Sequence, residues 1–293
     1  MSAGSHLWRP ASGCGPDCLP GPREVPAVPV ARRLARLAGV LGMLAAGAGL
    51  AALLPALPVE ARRSAVRRWA RATARASGVR LVVRGRLPRR RALVVANHLS
   101  WLDIPAVLAV APARMLAKRE VRGWPLVGLL AAAAGTLFVD RARPRALPAT
   151  VGRVAAALRA GHPVAVFPEG TTWCGVLPGC RPGGGFRPAV FQAAIDAGAP
   201  VVPLRIGYRL GGGASTTAAA FLGDESLARS VWRVLGSRDL TAEVTITAAL
   251  HPAPGADRRP LARAAEAAVR LPAPRPAVVP PPAEPAVAVG LAA

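Results

Sequence analysis

The chain has 293 residues and a formal net charge of +23, and 52% of its residues are hydrophobic, enough for one sizeable α/β domain with a buried core and flanking segments. Such a high positive charge predicts attraction to anionic lipid headgroups or to nucleic acid. This holds whether the many arginines serve a function or only reflect a GC-rich genome. Only 4% of the residues are aromatic and no recognisable nucleic-acid-binding motif is present, so a nucleic-acid partner is not expected.

The first segment, residues 1–31, is rich in Pro and Gly and lacks periodicity, which predicts a disordered leader. It contains Cys14 and Cys18, but no second Cys or His pair follows at zinc-finger spacing, so no metal site is predicted. The remaining cysteines, Cys174 and Cys180, could be bridged or reduced, and the sequence leaves both states open. No cofactor is expected.

The next segment, residues 32–77, is predicted to be helical and membrane-associated. An uncharged stretch of 23 residues, Leu37–Val59, lies between arginine-rich flanks. As a helix it would extend about 35 Å, enough to cross a hydrocarbon layer of about 30 Å. Pro55 and Pro58 interrupt its last turn. This pattern favours a membrane helix that spans or half-inserts, with a buried helix of a soluble domain as the alternative.

Residues 78–270 alternate short β-branched runs with Ala- and Leu-rich stretches, which predicts an α/β domain with a largely parallel sheet and flanking helices. Ligands of such folds bind at the carboxyl ends of the strands. The Pro/Ala-rich tail, residues 271–293, is predicted to be disordered. The predicted strands are Arg80–Val83, Ala92–Ala96, Ala113–Ala117, Thr136–Val139, Val164–Phe167, Val201–Ile206 and Glu243–Thr247, and the predicted helices are Trp101–Ala109, Pro125–Ala133, Thr150–Arg159, Pro188–Ala197 and Leu261–Val269.

The strand Ala92–Ala96 leads directly into the segment NHLSWLD, which contains His98 and Asp103. On an uninterrupted helix these two side chains would stand about 140° apart and could not touch. However, Ser100 and Asp103 have the spacing of a capping box, and a side chain at the third helical position points back toward the helix start. Asp103 could therefore cap the helix, or it could orient His98 as a general base, and both interpretations stay open.

Two further strands end in polar segments. GTLFVDR delivers Asp140 and Arg141, and the arginines that follow form a basic loop suited to phosphate. FPEGT places Glu169 at the end of a predicted buried strand, where a carboxylate is costly unless it meets water or a partner. Taken alone, the first segment carries little weight in so arginine-rich a chain, and a turn with a solvated glutamate is a competing interpretation of the second.

In combination, these segments resemble the glycerolipid acyltransferase family of 1-acylglycerol-3-phosphate O-acyltransferases. That family carries an NHxxxxD box, a later G-x-hydrophobic-F-hydrophobic-x-R box, an FPEGT box and a hydrophobic V-P segment. The chain has NHLSWLD, GTLFVDR, FPEGTTW and VVPL in the same order, over roughly residues 80–210. The resemblance implies that His98 is the general base and Asp103 its orienting partner. It also implies substrate-binding roles for Glu169, Gly170, Thr171 and Arg141.

Two positions bear on the acceptor. The segment around Lys118, the only lysine in the chain, is similar to the basic stretch that the family carries between its first two boxes. Thr172 stands where the family usually has the arginine of FPEGTR, which serves binding of the acceptor phosphate. Some relatives with threonine there are associated with other acceptors, such as lyso-ornithine lipid. The resemblance implies a lysophospholipid acceptor, with 1-acylglycerol-3-phosphate expected and lyso-ornithine lipid as the alternative.

The expected reaction is attack of a lipid hydroxyl, deprotonated by His98, on the thioester of acyl-CoA or acyl-carrier protein. No covalent acyl-enzyme is needed, since the only nearby nucleophile, Ser100, is assigned to capping. The competing hypothesis is a basic protein that binds membrane or nucleic acid by charge alone. The expected location is the cell membrane, with the catalytic domain on the cytoplasmic side and held to the anionic surface.

Overall fold

The computed structural model describes residues 12–270, except residues 22, 89, 90, 177, 183, 184, 212 and 224. The strands are β1 (Val79–Arg84), β2 (Leu93–Ala96), β3 (Arg114–Lys118), β4 (Leu137–Val139), β5 (Val164–Val166), β6 (Val201–Arg209) and β7 (Leu240–Ile246). The α-helices are α1 (Val30–Leu53), α2 (Val59–Ala76), α3 (Asp103–Val110), α4 (Val127–Ala133), α5 (Leu147–Arg159), α6 (Phe191–Ala197), α7 (Leu227–Gly236) and α8 (Arg258–Arg270).

The seven strands form one sheet in the order β1-β7-β6-β2-β5-β3-β4. The five strands from β6 to β4 are parallel to one another. Strands β1 and β7 are parallel to each other, but β7 pairs antiparallel with β6. The predicted α/β class with a largely parallel sheet is therefore confirmed, with two strands at one end running in the opposite direction.

The central strands are buried on both faces, as expected for parallel strands covered by helices. Side chains alternate along β2, so that Leu93 and Val95 face one core while Val94 and Ala96 face the other. The first core contains residues of α5, α6 and α8, and the second contains residues of α3 and α7. Helices thus cover both faces of the sheet and leave its carboxyl-terminal edge for the polar segments.

The N-terminal helices pack on each other at a close contact. Helix α1 lies against α2, where a Cβ on Gly47 would come within 2.9 Å of the Trp69 ring and where Trp69 Nε1 donates to the Met43 carbonyl at 2.8 Å. The stretch Val30–Ala56 is long and apolar enough to cross a membrane, and 11% of its most apolar window is buried. Helix α1 begins seven residues before the predicted Leu37 and ends before the two prolines.

The structure differs from the predictions at two further places. Part of the segment predicted as a disordered leader follows a defined path, since Val28 N donates to the Gly236 carbonyl and Arg238 N donates to the Pro26 carbonyl. Helix α7 was not predicted, although Ser226 caps it by accepting from Arg229 N. Residues 1–11 of the leader and the predicted tail, residues 271–293, lie outside the described residues.

Candidate active site

The polar segments meet at the carboxyl ends of adjacent parallel strands. His98 lies two residues after the end of β2, and the FPEGTTW segment follows β5, which pairs with β2. Arg141 lies two residues after the end of β4, and Lys118 ends β3 opposite Val139 of β4. The arrangement matches the ligand-binding edge of an open α/β sheet.

His98 and Asp103 are in direct contact. The Nδ1 atom of His98 lies 2.9 Å from Oδ2 of Asp103, and the Asp103 side chain is completely buried while that of His98 is 20% exposed. The His98 ring also stacks on Phe167, with centroids 4.0 Å apart and planes 8° from parallel. Because Nδ1 is committed to Asp103, Nε2 is the ring nitrogen left to exchange a proton with a substrate.

Asp103, the first residue of α3, holds both the turn before the helix and the histidine. Its Oδ2 atom accepts from the backbone N–H groups of Leu99 at 2.6 Å and Ser100 at 2.8 Å. The bond to Ser100 N is the one that the capping box predicts, but α3 begins at Asp103 itself, two residues later than that motif implies. The Ser100 hydroxyl accepts from Leu102 N at 3.2 Å. The two interpretations of the NHLSWLD segment are therefore compatible, because the chain turn that brings Leu99 and Ser100 to the carboxylate also brings His98 to it.

Tyr208, the only tyrosine in the chain, completes the environment of Asp103. Its hydroxyl donates to Oδ1 of Asp103 at 2.6 Å. Burial, together with the nearby charge of Asp103, raises the pKa of Tyr208 well above its usual value, so the phenol stays a donor. Both oxygens of the buried carboxylate are thus hydrogen-bonded, which fixes the orientation in which it meets His98.

Glu169 joins the FPEGTTW segment to the NHLSWLD segment. Its Oε2 atom accepts from His98 N at 2.7 Å, and Oε1 accepts from Trp173 Nε1 at 2.9 Å. Trp173 N in turn donates to the His98 carbonyl at 3.2 Å. Burial raises the pKa of Glu169 to about 8, although these two donors favour the charged form. The structure therefore shows this glutamate holding the backbone of His98 and the Trp173 ring, and its predicted role in seating the acceptor stays a prediction.

Arg141 contacts the same segment from the side of β4. Its Nη1 atom donates to the Gly170 carbonyl at 2.5 Å, and Gly170 adopts φ of 77°, a conformation that favours glycine. Burial, and the nearby charge of Arg187, lower the pKa of Arg141, while the charge of Glu120 opposes the shift. Lys118 lies over the Trp124 ring, 5.5 Å from its centroid. Two cations, Arg141 and Arg187, thus lie beside the backbone of the FPEGTTW segment, and Lys118 lies on the strand paired with β4.

The two threonines of this segment differ in their contacts. Thr172 donates its hydroxyl to the Phe221 carbonyl at 2.5 Å, and Phe221 N donates to the Leu99 carbonyl at 2.8 Å. The Thr172 hydroxyl therefore uses its one hydrogen to join the FPEGTTW segment to Phe221, and this hydrogen is not left for a lipid headgroup. Thr171 is half-buried beside it. The predicted substrate-binding roles of both threonines stay predictions.

Three residues of the site were not identified from the sequence. Tyr208 reaches Asp103, 105 residues away, and Trp173 reaches Glu169 through its side chain and the distant His98 through its backbone N–H. Asn97 exchanges two hydrogen bonds with the backbone of Ile206, at 2.9 and 2.8 Å. Asn97 did carry a signal, since a polar side chain directly after a buried strand needs a partner. For Tyr208 and Trp173 the sequence shows only aromatic residues near a predicted strand end.

Comparisons with known proteins agree with this geometry. A family model described as Acyltransferase matches residues 79–207. A lyso-ornithine lipid O-acyltransferase from Pseudomonas aeruginosa is 39% identical over 82% of this chain and 93% of that protein. A 1-acyl-sn-glycerol-3-phosphate acyltransferase from Neisseria meningitidis serogroup B is 34% identical over 82% of this chain and 91% of that protein.

The fold also has a solved counterpart. The crystal structure of the 1-acyl-sn-glycerophosphate acyltransferase PlsC from Thermotoga maritima superposes with a TM-score of 0.62, covering 82% of this chain and 93% of that chain at 18% identity. This likeness confirms the fold, and the two sequence relatives, each matched over more than nine-tenths of its length, show the family. The chain therefore belongs to the PlsC-like family of lysophospholipid acyltransferases and is an O-acyltransferase.

Proposed function

We propose that this protein transfers a fatty acyl group from acyl-CoA or acyl-carrier protein to the free hydroxyl of 1-acylglycerol-3-phosphate. The observation that carries the proposal is the contact of His98 with the buried, fully hydrogen-bonded Asp103, which leaves Nε2 to act on a hydroxyl. A neutral imidazole in this tautomer is a suitable base near neutral pH.

The chemistry proceeds by direct transfer. His98 Nε2 takes the hydroxyl proton as the lipid oxygen attacks the thioester carbonyl carbon, and Asp103 stabilises the imidazolium that forms. Collapse of the tetrahedral intermediate breaks the C–S bond, and the leaving thiolate receives the proton from Nε2. Ser100 is completely buried, and its hydroxyl accepts from Leu102 N. This placement supports a mechanism without an acyl-enzyme.

The charge beside the FPEGTTW segment favours a phosphate-bearing acceptor. Arg141 is half-buried near Arg187 and Lys118 is close by in the paired strand. A phosphate monoester carries more negative charge than a carboxylate, and arginine binds it through two parallel hydrogen bonds. A headgroup with a free amine would bring a further cation to this place.

A second acceptor, lyso-ornithine lipid, is favoured by a different observation. Thr172 replaces the usual arginine, and its hydroxyl already donates to Phe221. The relative from Pseudomonas aeruginosa, whose name states this activity, is similar over nearly its whole length. Arg141 could bind the carboxylate of that headgroup, so the reaction is the same for both acceptors and only headgroup recognition differs.

We also propose that helix α1 anchors the enzyme in the membrane, with the catalytic domain on the cytoplasmic side. The apolar stretch Val30–Ala56 supports this location because it favours the hydrocarbon layer, and the net charge of +23 supports it because it favours an anionic bilayer surface. Acyl-CoA and acyl-carrier protein are cytoplasmic donors, which supports a catalytic domain on the cytoplasmic side of the membrane.

The test is an acceptor panel with the purified full chain in detergent. Lysophosphatidate, lyso-ornithine lipid and lysophosphatidylcholine are offered with acyl-CoA, and thioester cleavage is measured with and without each acceptor. We expect cleavage that depends on lysophosphatidate, and a steep rise of KM for it in Arg141→Ala. Good rates with lyso-ornithine lipid alongside negligible rates with lysophosphatidate would replace the first acceptor by the second. No acceptor-dependent cleavage would support a binding protein without catalysis.

A further inference from the structure

Four cysteines from two distant parts of the chain meet beside the active site. The N-terminal segment supplies Cys14 and Cys18, and the loop after FPEGTTW supplies Cys174 and Cys180. The four sulfur atoms all lie within 4.8 Å of one another, and those of Cys18 and Cys180 are 3.5 Å apart. Cys14 and Cys174 are separated by 160 residues in sequence, so the fold alone brings the two pairs together.

This geometry fits one tetrahedral metal ion. A zinc ion bound by four thiolates has Zn–S distances of about 2.3 Å, which places the sulfurs about 3.8 Å from one another. Two separate disulfides would instead pair each sulfur with one other at an S–S distance of about 2.05 Å, and would not require the two pairs to be close to each other. Here all four sulfurs are mutually close, and the pair at 3.5 Å is near the spacing of two ligands on one ion.

The surroundings are those of a closed site. Cys14, Cys174 and Cys180 are buried, Cys18 is half-buried, and apolar side chains including Leu222 pack around them. Cys174 N donates to the Cys14 sulfur at 3.2 Å, a contact that stabilises a thiolate. A site with four protein ligands and no open position is structural rather than catalytic.

The cluster is also what joins the beginning of the described chain to the domain. Residues 12–20 contain few apolar side chains, and the hydrogen bonds that connect this stretch to the loop all involve a cysteine sulfur, within the residues that the structure describes. Cys174 directly follows Trp173, which donates to Glu169 and to the His98 carbonyl. An ion at the cluster would therefore fix the loop that positions His98.

We propose that Cys14, Cys18, Cys174 and Cys180 bind one Zn²⁺ ion, which clamps the N-terminal segment to the loop of the active site. The expectation that the cysteines form no metal site rested on the local spacing of Cys14 and Cys18, and a ligand pair far away in sequence escapes that argument. Binding releases the thiol protons and involves no oxidation. The binding itself does not rest on the proposed acceptor or donor; only the effect on His98 rests on the catalytic role.

The test measures metal directly. The full chain is produced with a tag that lacks His and Cys, in zinc-supplemented medium, and is purified in detergent under reductant. We expect about one zinc per chain by plasma mass spectrometry, matching the closed four-ligand site. Cys14→Ser and Cys174→Ser should lose most of it, whereas Asp17→Ser, an exposed change between two of the ligands, should keep it.

A second measurement covers variants that fail to fold. Wild-type protein stripped of zinc and reloaded with Co²⁺ should show sulfur-to-cobalt charge transfer and the intense d–d bands of tetrahedral coordination. Reloading should also raise the thermal midpoint. Zinc far below one per chain with no such cobalt spectrum, or zinc unchanged in both cysteine variants, would overturn the proposal. Acyl transfer is not used in either readout, so failure of the metal site and failure of the acyltransferase proposal are distinguishable.

Discussion

At the scale of single residues, Asp103 has two roles that its own substitution cannot separate. Asp103→Asn would disturb the turn that leads into α3 and the contact with His98 together, since Oδ2 serves both. Tyr208 offers a cleaner variant, because on the carboxylate it contacts Oδ1 and leaves Oδ2 to the turn and to His98, and its other side-chain partner is the Ser100 hydroxyl.

We expect Tyr208→Phe to lower kcat about tenfold while KM for both substrates stays near wild type. The loss of one hydrogen bond leaves the carboxylate less firmly oriented, which affects His98 more than substrate binding, and it costs about 1 kcal/mol of stability. Steady-state kinetics and urea denaturation check this. Wild-type kcat with the stability loss would show that Tyr208 supports folding only.

Glu169 predicts a dependence of stability on pH. Burial raises its pKa from 4.5 to about 8, so the folded protein binds more protons at this site than the unfolded chain between those pH values. The contribution is fully present below about pH 4.5, and the free energy of unfolding falls as pH rises toward 8. Glu169→Gln stays neutral and should remove this slope. Denaturation of both proteins across the interval measures it, and identical slopes would contradict the assignment.

The same variant should also slow catalysis. The amide nitrogen of Gln cannot accept a hydrogen bond, so either His98 N or Trp173 Nε1 loses its partner. We expect kcat to fall about tenfold or more at every pH.

Thr172 decides between the two acceptors. If lysophosphatidate is the acceptor, Thr172→Arg should be tolerated or should lower its KM, because a cation is added next to phosphate. If the acceptor is lyso-ornithine lipid, the new cation faces the headgroup amine and the rate should fall. Thr172→Val, which replaces the hydroxyl by a methyl group, is the control for loss of the bond to Phe221. If Thr172→Arg and Thr172→Val change the rates with both acceptors equally, this position does not contribute to headgroup recognition.

At the scale of elements, helix α1 exposes the apolar surface that a membrane anchor needs. Leu34, Leu41 and Leu53 are each more than half exposed, while Val40 and Gly47 are the buried residues of the helix. We expect the triple change of these leucines to Ser to weaken binding to neutral vesicles strongly and to leave the fold intact. Val83→Ser, an exposed apolar position on β1, is the matched control. If the triple variant floats with vesicles as the wild type does, the membrane anchor is not helix α1.

Elements were predicted well where the pattern is local. The seven predicted strands all match observed ones, six of them on runs with β-branched residues and β3 on the apolar run RMLAK, and the prolines marked the end of α1 as expected. The direction of a strand is not local, since the run that forms β7 fits a parallel or an antiparallel partner equally well. Helix α7 was missed although its pattern is local. Ser226 is a helix-capping residue, and the apolar residues Leu227, Val231 and Val234 that follow it have helical spacing.

At the scale of the whole molecule, the net charge and helix α1 predict two components of membrane binding. The part that comes from α1 should be insensitive to salt, whereas attraction of the basic surface to anionic lipid should weaken as the Debye length falls from about 10 Å at 0.1 M to about 3 Å at 1 M salt. Vesicle flotation with neutral and anionic lipid at these two salt concentrations separates them. Salt-resistant excess binding to anionic vesicles would contradict an electrostatic origin.

The site was predicted to the extent that its contacts are encoded close together. His98 and Asp103 lie in one short segment, so their pairing followed from the geometry of a helix start. The contacts of Glu169 with His98, and of Tyr208 with Asp103, join segments 71 and 105 residues apart. Such contacts depend on strand order, which the resemblance to a family implies but spacing in the sequence does not.

The central claim is that His98 is the base of acyl transfer, and His98→Ala tests it most directly. Asp103 keeps its bonds to Leu99, Ser100 and Tyr208 in this variant, so the thermal midpoint should stay near wild type. Single-turnover transfer to the best acceptor should fall by about 10²- to 10⁴-fold, the usual contribution of a general base. A folded His98→Ala enzyme that turns over at a near wild-type rate would contradict the account.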